Sequence, residues 1–255
     1  MENRIEVKNI SKKFYKNLKN ESALGVFLSI FGIETRGREF QVLDQISFNL
    51  KAGEVLGVIG KNGSGKSTLL RAIAGIYRVD SGEINTVGDV VYLTGFGYGL
   101  RNKLTMRENI YLSGSIIGLS QETIREKFDE IVDFSGLREY LDTKLFKFSS
   151  GMRVRLGSSI GLHCVAHKNP EILLVDEVIG GGADINYKEK SLDKMKSLLN
   201  GGGSVILVSH DLNSIKKFCD RVILIDGGKV ILSGDPGEII ERYRELKKTL
   251  VFPIL

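Results

Sequence analysis

The first part of the chain alternates between apolar and polar residues as half-buried β-strands do. Residues 4–10 follow this alternation, and residues 40–50 predict a β-hairpin. The run 54–59 is short and almost wholly apolar, which is typical of a buried strand. Residues 67–74 then have the character of a helix, and residues 83–94 return to strand-like sequence. This part of the chain therefore predicts strands interrupted by one helix.

The second part of the chain begins with a helical pattern over about 105–168. Ser120 is predicted to cap a helix over 121–132, which carries acidic residues early. Short β-branched runs follow, typical of parallel strands buried on both faces, at 171–175, 204–208 and 222–225. Pro236, preceded by an aspartate, is predicted to begin the last helix. The pattern as a whole predicts an α/β core with a helical insertion.

Composition narrows the class of protein. With 255 residues, 42% of them hydrophobic and 26% charged, the chain has the make-up of a soluble globular protein of one large domain or two small ones. No apolar run approaches the roughly 18 residues that a membrane helix needs, and residues 1–4 lead straight into strand-like sequence without a secretory signal. Cys164 and Cys219 lie far apart and are predicted to be reduced, buried thiols. A net charge of +5 is compatible with a membrane surface or nucleic acid and proves neither.

The segment between the strand 54–59 and the helix 67–74 has the pattern of a phosphate-binding P-loop. Glycines let the backbone approach a polyphosphate closely, and the following helix directs the positive end of its dipole at the anion. Lys66 is expected to reach the β- and γ-phosphates, and the hydroxyl of Ser67 to hold Mg²⁺. A glycine-rich turn is the plain alternative, but strand, loop and helix are all in place. The predicted nucleotide-binding residues are Gly60, Lys61, Asn62, Gly63, Ser64, Gly65, Lys66, Ser67 and Thr68.

Asp176 and Glu177 follow the apolar run 171–175. An aspartate at the end of such a strand can hold Mg²⁺ through water, opposite Ser67. The adjacent glutamate can orient and deprotonate the water that attacks a γ-phosphate. An Asp-Glu pair is common by itself, and only its position in a chain that already has a P-loop predicts this chemistry.

Residues 148–152, Phe-Ser-Ser-Gly-Met, precede a helix predicted to begin near Arg153. A serine hydroxyl and the N–H groups of a helix N-terminus form an anion site, although such a segment is more often a plain helix cap. Here it stands about 25 residues before Asp176. With this order of motifs the chain resembles the nucleotide-binding subunit of an ABC transporter, from Phe14 to the last helix.

The resemblance implies a fold and a role for each motif. The fold is α/β: a P-loop core of the ABC ATPase type with an antiparallel β subdomain and a helical insertion subdomain. The resemblance implies that the signature segment, which consists of Ser149, Ser150, Gly151 and Met152, contacts the γ-phosphate bound by the other subunit. It implies that Asp176 is the Walker B aspartate and a metal residue with Ser67, and that Glu177 is the catalytic glutamate.

Further roles follow from the same resemblance. Asp184 is at the position of the D-loop aspartate. His210, which follows the strand-like run 204–208, matches the histidine that senses the γ-phosphate, whereas a lone histidine after a strand is usually structural. Phe14 is at the adenine-stacking position, and Tyr15 is the alternative one residue away.

Several departures from the common family pattern point to one branch. Ser150 stands where most members have glycine, Met152 replaces the usual glutamine, and the run before Asp184 is one residue longer. Residues 93–100, the Q-loop region, contain no glutamine, the residue that usually binds Mg²⁺ there. With an apolar insertion at about 17–39, these features resemble the ATPases that export O-antigen, capsule or teichoic acid.

This branch implies an ATPase that uses ATP and Mg²⁺ to power export of a lipid-linked polysaccharide. It implies a homodimer of ATPase subunits on two copies of a polytopic membrane protein, peripheral at the cytoplasmic face of the bacterial inner membrane, and no nucleic acid. Residues 1–255 are predicted to be a single domain with a helical subdomain at about 105–168. Because Leu255 follows soon after the last helix, no C-terminal carbohydrate-binding domain is expected.

Three alternatives remain to be weighed. Another transporter ATPase, for drugs or lipids, leaves the apolar insertion and the missing Q-loop glutamine without a reason. A non-transport ABC ATPase acting on nucleic acid would carry a long coiled coil between its Walker motifs or two nucleotide domains, and the sequence predicts neither. A P-loop kinase leaves the signature segment and His210 unexplained.

The apolar segment 23–33 has two interpretations. It either packs against the β subdomain of its own chain or forms a short amphipathic helix on the membrane-facing side, near the entrance for the substrate.

Overall fold

A computed structural model of the protein describes residues 2–16, 38–94, 99–168, 170–176, 185–199 and 202–251. The apolar segment 23–33, Glu177 and Asp184 lie outside these residues, and so does the middle of the Q-loop region, residues 95–98. Two β-sheets and a group of helices make up the described part, so the predicted α/β class is confirmed.

The first sheet is antiparallel and has the order β2-β1-β4. Its strands are β1 (Asn3–Lys16), β2 (Arg38–Lys51) and β4 (Ser81–Thr86). The hairpin predicted over 40–50 is wrong, because this segment is one continuous strand paired with β1. Its turn-like middle is an irregularity at Gln45, whose φ is 51° and whose N–H donates to Ser11 Oγ at 3.1 Å.

The second sheet has six strands in the order β5-β6-β7-β3-β8-β9. They are β3 (Val55–Ile59), β5 (Val90–Thr94), β6 (Ile172–Asp176), β7 (Ser204–Val208), β8 (Arg221–Asp226) and β9 (Lys229–Gly234). All neighbours are parallel except β8 and β9. Every residue of β3, β6 and β7 is buried, as their continuous apolar sequence predicts. The run 83–94 divides between the two sheets, because a left-handed glycine, Gly88, turns the chain after β4.

The helices surround this sheet. They are α1 (Lys66–Ile73), α2 (Met106–Ile116), α3 (Gln121–Ser135), α4 (Ser150–Lys168), α5 (Ile185–Leu199), α6 (Leu212–Phe218) and α7 (Pro236–Val251). Helices α2, α3 and α4, with 3-10 turns at Arg138–Tyr140 and Leu145–Lys147, share a separate apolar core within the stretch predicted to be helical. None of the helices that the structure describes is both long and apolar enough to span a bilayer.

The helix boundaries follow local capping. Ser120 accepts a hydrogen bond from the N–H of Thr123 at 3.1 Å, so the predicted cap of α3 is confirmed. Asp235 caps α7 in the same way through the N–H groups of Gly237 and Glu238. Helix α4 begins at Ser150 rather than near Arg153, so the serines of the signature segment already belong to the start of the helix.

Apolar residues cover both faces of the six-stranded sheet. One face packs against α1 and the antiparallel sheet, and the opposite face packs against α4, α5, α6 and α7. Cys164 and Cys219 are both buried and neither forms a disulfide, as predicted. Burial raises the pKa of Cys219 to about 12, with a smaller contribution from the nearby charge of Asp220. The core thus fixes a rigid sheet whose strand ends carry the candidate site.

Candidate functional site

The carboxyl ends of parallel strands meet at one edge of a sheet, and three predicted motifs lie at that edge. The P-loop leaves β3 after Ile59, Asp176 is the last residue of β6, and His210 follows β7 by two residues. Because β6, β7 and β3 are neighbours in the sheet, these motifs from distant parts of the sequence are brought together.

Backbone crowding makes glycine necessary at two positions of the P-loop. Gly60 has a φ of 154°, and a Cβ there would collide with the carbonyl oxygen of Ile225. Gly65 has a φ of 105°, and a Cβ there would lie 2.8 Å from the carbonyl oxygen of Val42. Gly65 also opens α1, which has no side-chain cap. The positive end of that helix is therefore open to an anion, as the pattern predicts.

Lys66 lies inside the loop that precedes it. Its side chain is buried, and its Nζ donates to the carbonyl oxygens of Gly60 at 3.0 Å and Lys61 at 2.7 Å. A buried ammonium held by backbone oxygens provides a fixed positive charge next to the helix N-terminus.

A cavity of about 510 Å³ opens in front of the loop. Its size is within the range of small-molecule and cofactor sites. The residues that line it are Val42, Asn62, Gly63, Gly65, Lys66, Ser67, Thr68 and His210. The structure therefore places His210 and the P-loop around one space, although His210 lies 142 positions after Thr68 in the sequence. Val42 of the antiparallel sheet supplies a wall that the sequence patterns did not indicate.

Ser67 and Asp176 are in direct contact. Ser67 Oγ donates to Asp176 Oδ1 at 3.1 Å, and the Asp176 side chain is buried. Hydroxyl and carboxylate oxygens are hard ligands of the kind that Mg²⁺ prefers, alone or through water. The two residues predicted to hold a metal therefore lie together and fit that ion.

Tyr92 of β5 is a part of the site that the sequence patterns missed. Its hydroxyl donates to Asp176 Oδ2 at 2.9 Å, so both carboxylate oxygens are engaged. Burial raises the pKa of Tyr92, as does the hydrogen bond to Asp176; hydrogen bonds from Thr94 and Arg71 act in the opposite direction. The phenol is therefore protonated at neutral pH, as tyrosine ordinarily is, and can donate. The only sequence feature that could have indicated this role is the position of Tyr92, two residues before the end of a predicted strand.

The signature segment lies apart from this cavity. Ser149 and Ser150 are exposed, and none of the described residues 149–152 lines the cavity of the same chain. Ser149 Oγ accepts from the N–H of Met152 at 3.2 Å, which makes it the side-chain cap of α4. The serines at the start of this helix therefore face solvent, whereas Met152 packs against the apolar core of α2, α3 and α4.

Helix α4 is attached to α5 through a buried hydroxyl. Tyr187 Oη lies 2.6 Å from Ser158 Oγ and 2.9 Å from Ser159 Oγ, and it donates to the carbonyl oxygen of Arg155 at 2.7 Å. The signature helix and the helix that follows the predicted D-loop thus share one buried polar cluster.

The two candidate adenine-stacking residues differ in environment. The ring of Phe14 packs edge-on against Tyr77 with 5.3 Å between centroids, and the ammonium of Lys12 lies 5.5 Å from its centroid. Tyr15 is 65% exposed. Neither residue is among those that line the cavity.

The fold and the loop define a class, that of P-loop nucleotide-binding proteins with a parallel central sheet. Comparison with protein families narrows it, since the pattern of the family described as "ABC transporter" matches residues 43–180. The chain belongs to the ABC transporter family.

Similar curated proteins carry export names. The chain is 37% identical over 243 residues to the teichoic acids export ATP-binding protein TagH of Lactococcus lactis subsp. lactis, which covers 95% of this chain and 51% of that protein. It is 34% identical over 210 residues to the O-antigen export system ATP-binding protein RfbB of Klebsiella pneumoniae, covering 82% and 83%. For TagH and the Myxococcus xanthus RfbB, the chain spans about half the length of the relative.

Solved structures support the fold. A dimeric ATP-binding cassette in a post-hydrolysis state with ADP and Pi has a TM-score of 0.70 at 22% identity, covering 91% of this chain and 98% of that one. An ATP-binding subunit of an ABC transporter has a TM-score of 0.69 at 22% identity, covering 94% and 93%. The predicted P-loop core of the ABC type is therefore confirmed.

Proposed function

We propose that this chain binds and hydrolyses ATP to power export of a lipid-linked polysaccharide across the bacterial inner membrane. The observation that carries the proposal is the single cavity shared by the P-loop and His210, with Ser67 and Asp176 in contact beside it. The names of its relatives, which concern teichoic acid and O-antigen export, support the choice of substrate class.

Each residue has a chemical task in this proposal. The P-loop backbone and Lys66 bind the phosphates. Mg²⁺ would be held by Ser67 directly and by Asp176 through water. Glu177 is the general base for the attacking water, and His210 stabilises charge on the γ-phosphate. Phe14, or Tyr15 in its place, stacks on the adenine.

The active unit in this proposal is a homodimer. Ser149 and Ser150 of the signature segment are exposed, and the segment does not line the cavity of its own chain, which supports contact with ATP held by a second subunit. Asp184 belongs to the same dimer contact. Two copies of a polytopic membrane protein complete the transporter, and the ATPase subunits lie peripherally on its cytoplasmic side.

The decisive variant is Glu177→Gln. It removes the proposed base but leaves the phosphate-binding loop intact, so ATP binding with Mg²⁺ should persist while hydrolysis stops. The unhydrolysed ATP should then hold two chains together. Size-exclusion chromatography with light scattering, with and without ATP, measures this dimer directly.

Two controls make the result interpretable. Glu177→Gln combined with Lys66→Ala should stay monomeric, because the nucleotide that joins the chains no longer binds. The exposed residue Glu122, on α3, provides a matched substitution, Glu122→Gln, which should hydrolyse ATP like the wild type. A Glu177→Gln chain that remains monomeric at saturating ATP contradicts the dimeric site. Loss of polymer export on deleting the gene, restored by wild type but not by Glu177→Gln, tests the transport role.

A further inference from the structure

Four side chains from three elements lie side by side at the proposed metal site. They are the two metal residues, Ser67 and Asp176, together with Arg71 and Tyr92. Ser67 and Arg71 are four residues apart on α1 and therefore share one face of that helix. Asp176 of β6 and Tyr92 of β5 lie on adjacent parallel strands, and the register pairs Tyr92 with Leu174 and Thr94 with Asp176. Because side chains alternate along a strand, Tyr92 and Asp176 project from the same face, toward α1.

Hydrogen bonds join three of these side chains. Tyr92 Oη donates to Asp176 Oδ2 at 2.9 Å, and Ser67 Oγ donates to Asp176 Oδ1 at 3.1 Å. The Arg71 guanidinium lies near the Tyr92 hydroxyl. The ring of Tyr92 packs into the apolar cluster that contains Leu70, Ile73 and Leu174. Packing therefore fixes the ring, and the fixed hydroxyl fixes one oxygen of the carboxylate.

We propose that Tyr92 is a positioning residue that orients Asp176 for Mg²⁺. The inference rests on the proposed nucleotide-binding function of this site. A carboxylate with one oxygen anchored behind it has a defined rotamer, so the other oxygen is presented toward Ser67 and the phosphate loop. Groups that hold metal ligands in this way contribute strongly to metal affinity, although they do not touch the ion.

The alternative is that Tyr92 is a core residue and that its hydrogen bond to Asp176 only satisfies the hydroxyl. Removing the hydroxyl would then cost stability and leave the metal unaffected. The two views differ in what Tyr92→Phe does to Mg²⁺, since phenylalanine keeps the packed ring and removes only the donor. The replacement leaves Asp176 with Ser67 as its hydrogen-bond partner among the contacts described above.

The test uses the full chain and methylanthraniloyl-ADP, a fluorescent nucleotide that the site cannot hydrolyse further. Its affinity is measured with EDTA and then at increasing MgCl₂, which gives the Mg²⁺ concentration for the half-maximal gain in affinity. Tyr92→Phe should raise that concentration by about tenfold or more, with affinity in EDTA within twofold of wild type. Tyr77→Phe is the matched control, because Tyr77 also contacts Arg71 but is not a partner of Asp176 in the described contacts; it should titrate like wild type.

Each outcome has a distinct meaning. An unchanged or lower Mg²⁺ requirement in Tyr92→Phe, with normal binding by the wild type, overturns the positioning role and leaves the proposed function standing. An equal loss of affinity in EDTA and in Mg²⁺ also overturns it, because that result indicates a packing role alone. A wild-type chain that binds no nucleotide under either condition overturns the proposed function and this inference together.

Discussion

The N-terminus of α1 and the N-terminus of α4 were both predicted as phosphate sites, and the structure gives them very different surroundings. The first has no side-chain cap, follows a loop of crowded backbone, and has the buried ammonium of Lys66 within it. The second is capped by its own Ser149, and Ser149 and Ser150 are exposed. The first is organised to bind an anion within one chain. The second provides only the N–H groups of its helix N-terminus. We therefore expect the second helix end to bind an anion only together with a partner chain, as proposed above.

Lys66→Ala should produce the largest effect, because it removes the charge from the self-sufficient helix end. Charge-assisted hydrogen bonds to two phosphates, at about 1.5–3 kcal/mol each, correspond to a loss of about 10³-fold in kcat/KM for ATP. Nucleotide binding should weaken as well, which isothermal calorimetry measures. Lys103→Ala, at an exposed lysine in the turn before α2, is the control and should bind like wild type. Full binding by Lys66→Ala would remove the contrast between the two helix ends.

His210→Ala should have a smaller and more selective effect. If His210 stabilises charge that develops on the γ-phosphate, turnover should fall by about 10²-fold while ATP affinity stays within a few fold. Phosphate release and nucleotide binding, measured on the same preparation, separate the two quantities. Equal losses in binding and turnover would assign His210 to ordinary phosphate binding.

Gly151→Asp tests the helix end of α4 and should have the smallest effect of the three on ATP turnover. The added charge lies in the first turn, where an acidic side chain stabilises a helix by about 0.3–1 kcal/mol. The same charge should repel the phosphate of a nucleotide held by the partner and reduce turnover by about tenfold. The melting temperature should therefore hold or rise while ATPase activity falls.

Gly151→Asn is the matched control, because it has nearly the same shape without the charge. It should retain more activity than Gly151→Asp at equal melting temperature. If both variants are fully active, the N-terminus of α4 is only a capped helix. The segment then resembles the family's signature but does not bind the nucleotide phosphate in this chain.

Local pattern predicted the elements whose signal is contained in a few neighbouring residues. The buried strands at 171–175 and 204–208, the Ser120 cap and the P-loop all belong to this group. The hairpin over 40–50 failed, because a positive φ at Gln45 lets turn-like residues remain inside a strand. The strand β9 was not predicted, since none of its residues is fully buried and exposed positions alternate with half-buried ones.

The site was predictable where a motif is continuous in sequence or, as for His210, where the order of motifs resembles the family. The P-loop from Gly60 to Thr68 can be recognised from the sequence alone, and so can an aspartate that directly follows a buried strand. The contact between Tyr92 and Asp176 joins residues 84 positions apart, and it depends on β5 and β6 being neighbours in register. Val42 likewise reaches the cavity only because two separate sheets pack together. Such contacts require the tertiary arrangement.

The backbone of Val42 has a consequence for how this protein can change over generations. Its carbonyl oxygen lies where a Cβ at Gly65 would be 2.8 Å away and a Cβ at Gly228 would be 2.6 Å away. Three chain segments therefore meet with room for main-chain atoms alone. Amino-acid substitutions should be very rarely tolerated at positions 65 and 228. They should be better tolerated at position 42, because what crowds the two glycines is its carbonyl group, which every amino acid has. A deep mutational scan should record two intolerant glycines beside a permissive valine.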